Sequence, residues 1–114
     1  MLHEMKLNPA PFEMIASGKK IYELRLYDEK RRKLAVGDLI RFSMTNDPSR
    51  SVTVSVRALH VFDSFQSLYE ALPLELCGYR EDELTTASYR DMEAYYSPEE
   101  QSLYGVVAIE VMLV

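Results

Sequence analysis

The sequence predicts an α+β fold: a largely antiparallel strand framework carrying two or three peripheral helices. Three observations lead there. Strand-like runs stand at both ends of the chain and through its middle, alternating at period two early on and continuously apolar at the end. Helical i, i+3, i+4 stripes occur only in short inserts after the first strand and after the longest one. Regular βαβα alternation is missing, which argues against a layered α/β sheet.

The elements follow in order. HEMKLN, with Met5 and Leu7 at period two, predicts a first strand. Asn8 then reads as a helix cap, with Pro9 at or near the first helical position and Pro11 tolerable in the first turn. Phe12, Ile15 and Ala16 form an apolar stripe, and Gly18 sits where a left-handed residue ends a helix of about two turns. In KKIYELRLY, Tyr22, Leu24 and Leu26 face one side of a strand, and Ile21, Glu23 and Arg25 the other. The polar segment DEKRRKLAV leads to a Gly37-Asp38 turn and then to the strand LIRFSM. TNDPSR is expected to be a loop. SVTVSVRALHVF has β-branched residues at period two and is long enough to cross a curved barrel. Asp63 or Ser64 caps a helix carrying Phe65, Leu68, Tyr69 and Leu72, ended by Pro73. Residues 74–86 are mixed, and ASYRDMEAYY (87–96) has helical character. Ser97-Pro98-Glu99-Glu100 matches a capping box with Pro at N1 and Glu at N3. YGVVAIEVMLV, strongly apolar, predicts a central strand.

A chain of 114 residues, 47% hydrophobic and 27% charged, has the composition of one globular domain with a core that needs no staples. Its one cysteine, Cys77, cannot form an internal disulfide. No apolar leader follows MLHEMKLN and no run approaches the roughly 18 apolar residues of a membrane span, so a cytoplasmic protein without a membrane partner is expected. The net charge of −5 is unevenly spread. Residues 1–57 hold eleven Lys and Arg against seven Asp and Glu, net +4; residues 58–114 hold two against eleven, net −9. An anionic ligand should meet the first half.

The chemistry concentrates in Gly18-Lys19-Lys20-Ile21-Tyr22-Glu23-Leu24-Arg25. On a strand, Glu23 and Arg25 project from one face about 6.6–7 Å apart. Lys20 lies at the mouth of that strand, where Gly18 lets the chain turn. A carboxylate beside two cations stays ionised, and an arginine held by it offers its other donors in a fixed fork. Such a site suits a phosphate, a sugar hydroxyl or a base edge. On spacing alone, a solvated strand face with an incidental ion pair, worth at most about 1 kcal/mol, is the simpler account.

Other features carry less. Lys30-Arg31-Arg32-Lys33 would steer an anionic ligand's backbone or be merely solvated. Tyr22 and Tyr27 would stack on a base, although Tyr22 shares its side with Leu24 and Leu26. Tyr89, Tyr95 and Tyr96 read as core or rim. His3 and His60 are far apart in sequence, so no metal spacing appears, and Cys77 reads as a quiet, semi-buried thiol. Without a Gly-rich phosphate loop or dinucleotide fingerprint, no cofactor is expected.

The octapeptide resembles the ASCH pattern Gly-x-Lys-x-x-Glu-x-Arg at all four specified positions: Gly18, Lys20, Glu23 and Arg25. Val36 through Phe42 resembles that family's Gly-Asp-then-strand element, Phe62 through Leu72 its helix, and Tyr104 through Ile109 its closing strand. In that order they span nearly the whole chain, 1–114, as one ASCH domain. The resemblance implies a PUA-like β-barrel whose cleft binds RNA or a modified nucleoside, in RNA metabolism or translation-related regulation. Lys20, Glu23 and Arg25 become the cleft residues, Lys19 and Tyr22 their ligand-binding neighbours, and Gly18 the structural turn. Glu23 would orient Arg25 and accept a hydrogen bond from the ligand. An enzymatic alternative also follows. Some small ASCH-like proteins hydrolyse the acetyl amide of N4-acetylcytidine with a threonine, a lysine and a glutamate. Lys20 matches the lysine and Glu75, or Glu70, the distal glutamate, but Glu23 replaces the threonine. A ribonucleolytic branch would use Lys20 on a cleaved phosphate with Tyr22 or Tyr27 as proton carrier. A binding module ranks above a hydrolase, a sensor of a small anionic metabolite is a third reading, and a monomer is favoured with the oligomeric state left open.

Overall fold

The computed structural model describes residues 1–114. Strand β1 (Leu2–Leu7) leads into helix α1 (Pro9–Ala16), and strand β2 (Tyr22–Leu26) into the single turn α2 (Glu29–Arg32). Strands β3 (Leu39–Met44) and β4 (Asp47–Phe62) follow, then helix α3 (Phe65–Ala71). Three 3-10 turns, Leu74–Cys77, Glu81–Glu83 and Tyr89–Ala94, precede helix α4 (Pro98–Tyr104) and strand β5 (Val106–Leu113).

The strands form one curled five-stranded sheet, a half-barrel, in the order β1-β3-β4-β5-β2. The β1–β3 pair is parallel and the other three are antiparallel. β5 is interior, as its unbroken apolar run predicts: Val106, Val107, Ala108 and Ile109 are all fully buried. Alternation along β5 sends them to two cores. Val107, Ile109 and Val111 join Met5, Phe12, Ile15, Ile40 and Phe42 beneath α1. Val106 and Ala108 join Leu24, Leu26, Phe65 and Leu68 beneath α3. In β4, Val54 and Val56 face the first core, and a bulge at Arg57 puts Leu59 against the same core. One extra residue keeps the apolar phase while bending the strand.

The structure corrects several expectations. TNDPSR is not a loop: only Thr45-Asn46 turn, and β4 begins at Asp47. The register jumps from Ser43↔Ser51 to Met44↔Asp47, so the turn-forming residues Pro48, Ser49 and Arg50 are absorbed as a bulge in an otherwise paired strand. DEKRRKLAV is not wholly irregular, because Asp28 caps α2 by accepting the Arg31 N–H at 3.1 Å. Asn8 occupies the N-cap position of α1 without capping it; its side-chain oxygen accepts the Thr45 hydroxyl instead. The helix expected over 87–96 is the 3-10 stretch Tyr89–Ala94. The Ser97 capping box forms as read: the Ser97 hydroxyl accepts the Glu100 N–H at 3.1 Å, and the Glu100 carboxylate accepts the Ser97 N–H at 3.0 Å. No helix is long and apolar enough to cross a membrane.

Candidate functional site

The edge strand β2 presents two chemically different faces. Leu24 and Leu26 pair with Ala108 and Val106 and pack into the second core. Glu23 and Arg25 pair with Ile109 and Val107, whose side chains belong to the first core. Directly opposed residues of an antiparallel ladder share a face, so the charged pair is set on the concave, apolar side of the sheet. Burial there demands partners. Glu23, only 4% exposed, has both oxygens engaged: Oε1 lies 2.8 Å from Lys20 Nζ and Oε2 2.6 Å from Arg25 Nε. Burial alone would raise the Glu23 pKa. Lys20 and Arg25 outweigh it and hold the carboxyl below the ordinary carboxylate range. Burial works against the Arg25 charge too, and Glu23 overcomes it, so the guanidinium pKa is raised.

Local backbone contacts place Lys20. The end of α1 turns through Gly18, at φ +80°, and the Met14 carbonyl accepts the N–H groups of both Lys19 and Lys20. Ile21 donates to the Leu76 carbonyl at 2.9 Å, drawing the first 3-10 turn against the motif. The Lys20 stem then passes over Gly78: a Cβ there would come within 3.1 Å of Lys20 Cδ. Arg25 reaches further, donating through Nη2 to the Lys6 carbonyl of β1 at 2.7 Å. β1 and β2 are the two edges of the sheet, so this guanidinium bridges the open seam of the half-barrel.

At that seam lies a cleft of 760 Å³. Lys20, Glu23 and Arg25 line it, together with the end of β1, the first turns of α1 and residues of the 77–96 stretch. Four cations (Lys6, Lys20, Arg25, Arg80) face three carboxylates (Glu23, Glu83, Asp91) among its lining side chains.

Other sequence candidates lie elsewhere. Gly18, Lys19, Tyr22, Glu70 and Glu75 are not among the lining residues. Tyr22 packs edge-on against His60, whose Nε2 is 2.9 Å from Glu110. Glu70 and Glu75 are exposed. Tyr27 lies under the Arg32 guanidinium, 4.4 Å from its ring centre. The basic run is engaged in the fold: Lys30 donates to the Glu4 carbonyl, Arg31 pairs with Asp28, and Arg32 donates to the Tyr104 carbonyl. None of the four lines the cleft. His3 is bound to Asp38 at 2.8 Å, beside the Gly37 turn. Cys77, read as quiet, does line the cleft; burial pushes its thiol up to about 11, Lys20 opposing. Sequence reasoning missed Tyr69, Tyr79, Asp91 and Tyr96 as lining residues. The available signal was the density of tyrosines after residue 68 in a segment with no clear periodicity.

The ASCH domain model matches residues 5–114. The chain belongs to the ASCH domain family. Two solved structures resemble this ASCH domain over its full length: hypothetical protein PH0355 (34% identity, TM-score 0.82, 100% of both chains) and protein PF0455 from Pyrococcus furiosus (35%, 0.73, 100% of this chain and 98% of that one). ASCH from Zymomonas mobilis shares the fold at 19% identity and TM-score 0.65, covering 97% of this chain and 66% of its own. No curated protein matches the chain.

Two expected results follow from the geometry of this ASCH domain. The folded Glu23 pKa lies below the unfolded value of about 4.3, so its stabilisation is complete above that pH and is lost as pH falls through the lowered folded value. Urea midpoints measured from roughly pH 2 to 6 should therefore drop on the acid side. Glu23→Gln should flatten that drop. Gly78→Ala should weaken any Lys20-dependent binding and lower stability by about 1–2 kcal/mol, from the strain of a Cβ at positive φ. A variant matching the parent in both stability and binding would show that Lys20 does not need the gap at Gly78.

Proposed function

We propose that the protein is a cytoplasmic RNA-binding module, residues 1–114 acting as one domain, whose cleft takes a phosphate-bearing nucleotide segment. The supporting observation is the Lys20–Glu23–Arg25 network at the wall of an open cleft. One carboxylate neutralises one of two cations, leaving a fixed excess positive charge in a sheltered place. Lys20 and Arg25 carry only donors, and Glu23 aims them at a phosphate or a base-edge acceptor. Glu23 itself is a holder in this reading, since each of its oxygens already serves a cation. The family assignment is consistent with RNA-related binding.

The hydrolase alternative finds less support in the same residues. Glu23 sits where a nucleophilic hydroxyl would be needed and is doubly ion-paired. Cys77, in the cleft, is held far from the thiolate form at neutral pH.

Titration with single-stranded and hairpin RNA at low salt is the test. Binding should weaken as salt rises, and Lys20→Ala should reduce both the affinity and the salt slope, the latter by about 1. Lack of binding at low salt overturns the proposal. Turnover of acetylated cytidine or labelled RNA that disappears in Lys20→Ala would put the hydrolase in its place.

A further inference from the structure

The cleft has a second polar network, made of Tyr69 on α3, Tyr79, and Asp91 in the Tyr89–Ala94 turn. Asp91 Oδ2 accepts the Tyr79 hydroxyl at 2.7 Å and the Ser88 N–H at 3.2 Å. The oxygens of Tyr79 and Tyr69 are also 2.7 Å apart. Proton counting fixes the direction of this chain. Each phenol has one proton, while an ionised carboxylate only accepts. Tyr79 gives its proton to Asp91, a charge-assisted bond, in preference to the Ser88 carbonyl at 3.5 Å. At 2.7 Å, Tyr69 must then donate to the Tyr79 oxygen, because two facing lone pairs would repel. Burial pushes the Tyr69 hydroxyl up to about 12 and the Tyr79 hydroxyl upward as well, so both hold their protons at neutral pH.

No other hydrogen bond reaches the Tyr69 hydroxyl. With its proton committed, that oxygen has only lone pairs left to offer. The cleft therefore has two complementary networks, one of donors at Lys20 and Arg25 and one ending in an acceptor at Tyr69. We infer that the cleft selects a nucleotide base carrying an exocyclic amino group, which donates to the Tyr69 hydroxyl while Lys20 and Arg25 hold the phosphate. The inference rests on the RNA-binding reading and sharpens it. Discrimination comes from the missing partner: a base without the amino group leaves the Tyr69 lone pairs unpaired inside the cleft.

The experiment compares tetra-adenylate with its purine-riboside counterpart, which lacks only the amino groups, and tetracytidylate with its 4-deamino counterpart. The amino-bearing member should bind about five- to tenfold tighter in at least one pair. Tyr69→Phe should erase the gap by opposite shifts, tightening the amino-free oligonucleotide as the unpaired oxygen disappears and weakening the amino-bearing one, which a merely structural role would not do. Tyr79→Phe, which frees the Tyr69 proton to rotate, should narrow the gap without erasing it. Equal affinity within both pairs, or a gap that survives Tyr69→Phe, overturns the inference and leaves the RNA-binding reading standing. Failure of all four oligonucleotides to bind at low salt removes both.

Discussion

Glu23→Ala is expected to cost about 3–5 kcal/mol of stability, the largest loss of any single change at the cleft. The reason is what remains after the carboxylate is gone. Lys20 and Arg25 would face each other's charge within a site where their side chains are only 9% and 14% exposed. Water in the cleft meets only the small exposed part of each side chain, so it replaces the lost partner incompletely. Thermal unfolding should shift down by on the order of 10 °C or more. Glu23→Gln, which keeps the shape and one acceptor oxygen, should fall between the parent and the alanine variant. A loss under about 1 kcal/mol for Glu23→Ala would mean that the network behaves as an exposed pair, contrary to its burial.

The second large effect concerns Arg25. Its Nε holds Glu23 at 2.6 Å while Nη2 reaches the Lys6 carbonyl at 2.7 Å, so one planar group spans both sheet edges. Lysine keeps the charge and loses the fork. Arg25→Lys should therefore cost about 1.5–3 kcal/mol, the range for hydrogen bonds to charged groups, and speed amide exchange near the end of β1. RNA affinity should fall about tenfold, and Arg25→Ala should lower it further, because the charge also leaves. If Arg25→Lys matches the parent in exchange and in affinity, the bridge across the seam is incidental and only charge matters.

The fold was largely legible because its signals are local. Period-two runs marked β1, β2 and β4, the Gly37-Asp38 turn announced β3, the unbroken apolar run marked β5, and the Ser97–Glu100 capping box marked the start of α4. The bulge at Arg57 was not legible in SVTVSVRALHVF; the pairing with β5 sets it, carrying the core face from Val52, Val54 and Val56 to Leu59. The errors lie where tertiary pairing overrides local preference. Asn46, Asp47 and Pro48 favour a turn, yet β3 draws all but Thr45-Asn46 into a bulged strand. Lys30, Arg31 and Arg32 look free in sequence, yet each finds a partner supplied by a neighbouring element or turn.

For the site, the division is sharper. The chain by itself determined that Lys20, Glu23 and Arg25 would stand together, because a turn at Gly18 and a two-residue strand period bring these three charges to one place. It could not tell whether that place was a solvated face or a sheltered wall. That depended on which face of β2 the barrel core lies against, and only the pairing of Glu23 with Ile109 and Arg25 with Val107 decided it. Nor could it show that the tyrosines at 69 and 79 meet Asp91 at the same cleft, since hydrogen bonds between separate elements leave no periodic trace. Local periodicity encodes direction along one element; a cleft is made by the meeting of several.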